Sequence, residues 1–224
     1  FLDTEKGNAV ASISGDGETL SVFHMSPEKT TSGPNGSRIK TGGEMDYIDQ
    51  FTADPGIQPL PEAWSNGLLA GTAYTSRVFL DTDTGQALGS VSADGESVSV
   101  FHFTAETSSV GPNGSIIKKQ GDMDYIDQYS ADPGVPMPQT WDPNIVTGLD
   151  HTGRVFLNLE TGEAEVQVSI DAEGKVDGIT RFHMSEKTEI PLPDGSFIKK
   201  GGEVAMTEAF EPPDLLALTD KMSD

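Results

Sequence analysis

Along most of the chain apolar and polar residues alternate in short runs, as in Ser97-Val98-Ser99-Val100-Phe101. Gly, Asn, Asp or Pro interrupts these runs about every eight to twelve residues, the pattern of half-buried antiparallel strands joined by tight turns. Helical spacing is scarce. The pattern predicts strands over 77–81, 87–92 and 97–103, with turns at Asp83-Thr84-Gly85 and Asp94-Gly95. Asn113-Gly114 then supplies the left-handed backbone of a hairpin turn, and residues 115–119 form the return strand. Pro193-Asp194-Gly195 marks the same turn further on.

The pattern also repeats. Shifting the chain by 78 positions aligns Phe1 to Gly56 with Phe79 to Gly134, and 34 of these 56 pairs are identical. A more diverged copy starts at Phe156, with a four-residue insertion before its Phe182-His183-Met184. The expected fold is therefore all-β: three tandem repeats of about 77 residues, each a small antiparallel meander, stacked or ring-like. The boundaries fall at 1–66, 67–143 and 144–214, followed by a C-terminal segment, 215–224.

Met45-Asp46-Tyr47-Ile48-Asp49-Gln50 fits this pattern least, because as a strand it gives no clean apolar face. As a short helix it sets Tyr47, Ile48 and Phe51 on one side and Asp46, Asp49 and Gln50 on the other. A helix is the expectation. The proline-rich stretches at 58–61 and 136–138 read as extended spacers between repeats. Residues 68–73 and 145–149 read as strands that precede the second and third repeats.

The first repeat lacks that leading strand, whereas Leu215-Leu216-Ala217-Leu218 resembles it at the other end. Phe1 and Leu2 would then offer an edge that Leu215, Leu216 and Leu218 could complete, within a chain or between chains. Self-association is the expectation. Excision from a longer array is the alternative.

Charge narrows the partners. Acidic residues outnumber basic ones to a net charge of −22, which repels phosphate backbones, so nucleic acid is not expected. No apolar run approaches a bilayer span, and membrane insertion is not expected. The chain has no cysteine, which removes disulfides and thiolate chemistry. A basic protein partner would suit the acidic surface.

Candidate chemistry is sparse. Asp46 with Asp49 and Asp124 with Asp127 stand three apart beside Tyr47 and Tyr125, a carboxylate and aromatic set suited to calcium or a sugar. Trp64 and Trp141 follow the proline-rich stretches and serve either repeat packing or a carbohydrate platform. His24, His102 and His183 recur at one place, yet they make a metal site only if the repeats bring them to a common axis. Histidines repeated along with their strand are the simpler account. His151 reads as a turn residue. The segments at 3–7, 81–85 and 158–162 match a calcium loop only in part, lacking the late bidentate carboxylate, and read as hairpin turns.

No nucleophile elbow, zinc helix or phosphate loop is present. The expectation is a non-enzymatic, secreted or surface-exposed structural protein without a resident cofactor, its subunits joined by terminal strand exchange. A multivalent carbohydrate- or calcium-binding module is the second reading, and an accessory subunit of a larger complex the third.

Overall fold

A computed structural model of the chain describes residues 1–3, 7–110, 115–119, 121–185, 188–191, 197–200, 202 and 204–211. Its regular structure is antiparallel β, and the described residues contain short 3-10 turns but no α-helix. Two compact units divide it: residues 1–100 with 131–148, and residues 101–130 with 149–224.

The first unit holds β1 (Ala11–Ile13), β2 (Thr19–Met25), β3 (Lys29–Ser32), β4 (Arg38–Thr41), β5 (Met45–Thr52), β6 (Ala73–Leu80), β7 (Ala87–Ser92) and most of β8 (Ser97–Phe103). Its sheet runs β1-β2-β5-β6-β7-β8, with every pair antiparallel. β3 and β4 stand apart as a two-stranded hairpin inserted between β2 and β5. Its turn uses Asn35 at φ 64, a left-handed conformation that asparagine tolerates. The equivalent turn at Asn113-Gly114 and that at Pro193-Asp194-Gly195 lie outside the described residues.

The second unit takes the last residues of β8, the hairpin β9 (Thr107–Val110) with β10 (Ile116–Lys119), and then β11 (Met123–Ser130). β12 (Asp150–Leu157), β13 (Ala164–Ile170) and β14 (Val176–Met184) follow. The hairpin β15 (Thr188–Pro191) with β16 (Phe197–Lys200) and finally β17 (Val204–Phe210) complete it. Here the sheet order is β11-β12-β13-β14-β17.

The best-buried apolar side chains lie in the first unit. Leu20, Phe79, Val91 and Val98 are all but inaccessible, and Val91 faces Val98 across β7 and β8. Period-two alternation places them together, since successive side chains leave opposite faces of a sheet.

Three expectations are corrected. Met45-Asp46-Tyr47-Ile48-Asp49-Gln50 begins a strand, β5, as does its counterpart in β11, and neither is a helix. The missing apolar face has a physical source: Asp49 and Asp127 occupy buried positions and find cationic partners on the next strand. Residues 68–73 and 145–149 are not strands along their length. Asn66–Leu69 and Pro143–Val146 are 3-10 turns, begun by Ser65 and Asp142, whose side chains accept from the amides of Gly67 at 3.2 Å and Asn144 at 2.9 Å. The likeness that made Leu215 to Leu218 a strand therefore has no strand behind it. Residues 215–224 themselves lie outside the described residues.

Nor are the proline-rich stretches free spacers. The chain after β5 folds back on the β1–β2 turn, where the amides of Ala53 and Ile57 donate to Glu18 O at 2.8 Å and Gly17 O at 3.0 Å. Gly17 (φ +81) lies so close that a Cβ would overlap the Ile57 backbone, which fixes glycine there. After β11, Ala131 and Val135 repeat these bonds to Glu96 and Gly95.

Candidate functional site

In β5 the alternation of a strand sets Tyr47 and Asp49 on one face and Asp46 and Ile48 on the other. Asp46 and Asp49 therefore do not share a face, and neither do Asp124 and Asp127 in β11. The strand register brings His24 of β2 opposite Tyr47, and Arg77 of β6 opposite Asp49.

These four side chains form one cluster. The Arg77 guanidinium donates to Asp49 through Nε at 2.7 Å and Nη2 at 2.9 Å, a bidentate pair. His24 Nε2 lies 3.0 Å from the same carboxylate, and Tyr74 donates its hydroxyl to it at 3.1 Å. Tyr47 completes the set: the His24 ring stacks on it at 4.3 Å, and Arg77 Cζ lies 3.9 Å from its centroid. Arg77 Nη1 also donates to Pro138 O at 3.2 Å, so the stretch after β11 covers the cluster.

Asp49 is 8% exposed. Burial of an unpaired carboxylate would be prohibitive, and the arginine removes that cost. The electrostatic consequences follow. Burial pushes the Tyr74 hydroxyl up to about 12, with the Asp49 charge adding to it. Burial also lowers His24 below the usual imidazole value, and Asp49 offsets only part of this.

The second unit carries the same construction. Arg154 of β12 donates to Asp127 through Nε at 2.6 Å and Nη2 at 2.9 Å. His102 stacks on Tyr125 at 4.2 Å, with its Nε2 3.1 Å from Asp127. His151 stands where the first cluster has Tyr74, its Nε2 3.2 Å from Asp127. It is a strand residue of β12 and not a turn residue. Burial opposes the Asp127 charge, but Arg154 outweighs it and holds the carboxyl below its ordinary range. Further along, His183 of β14 meets Glu208 of β17 at 2.9 Å, while Met206 takes the place of the tyrosine.

The three repeated histidines therefore each meet a carboxylate of the adjacent strand. Among the described residues no group of three or more histidines and carboxylates is arranged to hold a metal ion. At Asp49 and Asp127 both carboxylate oxygens already accept from arginine, which leaves no free acidic pair of the kind calcium coordination needs. Tyr47 and Tyr125 share their ring surface with histidine and arginine from the flanking strands.

The tryptophans lie elsewhere. Trp64 packs on Phe1 at 5.8 Å and Trp141 on Phe79 at 5.5 Å between ring centroids. Gly89 leaves room for the Trp141 ring, which a Cβ at that position would overlap. Leu2 is 67% exposed and makes only an isolated bridge to Ala9. The Asp81 segment is a hairpin turn, as its sequence predicts: its carboxylate accepts from the amides of Asp83 at 3.0 Å and Thr84 at 2.8 Å.

Reasoning from sequence missed Arg77, Arg154 and Tyr74. A signal was present. Alternation sets Arg77 on the face of Phe79 and Tyr47, and a cation on a buried face requires an anion beside it. No protein-family model and no curated protein sequence matches this chain.

Proposed function

We propose that this chain is a non-enzymatic structural protein, secreted or surface-exposed, built as an array of three tandem repeats. The observation that carries this reading is the position of the two arginine–aspartate pairs. Asp49 with Arg77 and Asp127 with Arg154 each join the last strand of one sequence repeat to the first strand of the next. Every junction is thus a strand pair held by a buried charge pair, where a flexible tether would serve an independent binding module better.

Nearly identical repeats also suit assembly better than catalysis, which needs unlike groups converging on one place. The charge of −22 keeps an assembled material soluble. Copies join through their terminal segments, Phe1 and Leu2 on one side and Leu215, Leu216 and Leu218 on the other, by addition of strands.

Sedimentation velocity over a micromolar range tests the reading. The full chain is expected to form larger species with rising concentration, and deletion of residues 215–224 to abolish them with the far-ultraviolet β signature intact. A full chain that stays monomeric throughout overturns it.

A further inference from the structure

The basic residues of this acidic chain are unevenly placed. Residues 28–43, 106–121 and 186–201, which contain the three inserted hairpins, hold 8 of the 14 lysines and arginines but only 5 of the 36 acidic residues. The hairpins also expose apolar side chains. Val110 and Ile116 face each other across β9 and β10 at 78% and 73% exposure, and Ile39 of β4 is 45% exposed. Lys29 and Arg38 flank Ile39 on the first hairpin, both exposed, and Lys119 lies three residues beyond Ile116 on the second. Two-stranded ribbons set apart from a sheet, apolar along one edge and cationic beside it, suit a carboxylate-rich partner.

The first unit presents such a surface. β2 and β5 pair from Thr19 and Thr52 at one end to Met25 and Met45 at the other, and the hairpin leaves from the Met25 end. The opposite end carries Asp16, Glu18, Asp54, Asp94, Glu96 and Asp132, all exposed, with no lysine or arginine among the described residues there. A unit that is cationic at one end of its strands and anionic at the other is complementary to a copy of itself.

We propose that the hairpins are docking surfaces for a second copy of this chain, their apolar and basic strands seating on the carboxylate-rich end of a neighbour's sheet. The inference rests on the structural-assembly reading and gives it a second means of contact besides the terminal segments. At 0.15 M salt the screening length is about 8 Å, so repulsion between whole chains fades and complementarity at contact distance decides.

Sedimentation velocity of the full chain at 0.15 M salt tests this with three variants, each confirmed as folded by circular dichroism. Val110→Ser with Ile116→Ser removes the apolar edge; Lys29→Glu with Arg38→Glu reverses one hairpin; Asp16→Lys with Asp54→Lys reverses the acidic end. Each is expected to weaken self-association at least tenfold. Mixing the two charge-reversed variants is expected to restore it, because the reversed hairpin then meets the reversed end. Association equal to the unaltered chain in the apolar and hairpin variants, or no recovery on mixing, overturns the proposal. Loss on deleting residues 215–224 with the hairpin variants unaffected overturns it while leaving assembly itself standing; a chain that never associates overturns both.

Discussion

Arg77 of β6 grips Asp49 of β5 with two nitrogens, at 2.7 and 2.9 Å, at directly opposed positions of the sheet. Side chains of both are nearly enclosed, 11% and 12% exposed, so neither charge can turn to water if the other is lost. Arg77→Ala is therefore expected to cost about 3–5 kcal/mol, read from urea unfolding. Arg154 is 34% exposed at its side chain, and Arg154→Ala is expected to cost clearly less. Equal losses would contradict the role given to burial.

Trp141 covers Phe79, which is 1% exposed. Trp141→Ala opens that cover and is expected to destabilise the chain by about 3–5 kcal/mol. Gly89→Val, which forces side-chain atoms into the ring's place, is expected to cost about 1–3 kcal/mol. Urea midpoints unchanged in both variants would show that the ring is not held there.

His24 gives a pH dependence with a definite sign. Its folded value lies below the unfolded one of about 6.5, so the unfolded chain binds the proton first and stability falls as pH drops below that value. His24→Gln is expected to flatten the thermal midpoint between about pH 7 and 5 relative to the unaltered chain. A midpoint that rises on acidification would reverse the assignment.

Tyr74 should ionise late. With its hydroxyl pushed up to about 12, near-ultraviolet absorbance of the phenolate is expected to show a delayed phase that Tyr74→Phe removes. The sign is the opposite of that for His24: the folded chain holds the phenol proton more tightly, so stability is lost as pH rises above about 10. Tyr129, also raised by burial and by Asp127, adds a smaller delay.

Chelation bears on the calcium reading. Because arginine already satisfies Asp49 and Asp127, dialysis against EDTA is expected to leave the thermal midpoint unchanged, as is added millimolar calcium. A rise of several degrees with calcium, lost in Asp49→Asn with Asp127→Asn, would place the ion at these carboxylates after all.

Much of the fold was legible in the chain. Alternation located β7 and β8 closely, and Asp81 with Gly85 forms the turn predicted between β6 and β7. The misreadings share a cause. Apolar counting treats a carboxylate as a solvent-facing residue, so Asp49 broke the apparent strand and suggested a helix; Leu68-Leu69 looked extended because capping by Ser65 is not visible as periodicity.

The candidate site divides in the same way. The recurring histidine, tyrosine and aspartate were visible as repeated letters, but Arg77 lies 28 residues beyond Asp49, and only cross-strand register joins them.

By itself the sequence determined what is local: strand periodicity, turn chemistry, the duplication and the excess of acid. Tertiary structure alone decided which charges are buried together and which tryptophan covers which phenylalanine. The reason is that turn and strand preferences act over a few neighbouring residues, whereas desolvation of Asp49 and its compensation by Arg77 exist only once β5 and β6 lie side by side.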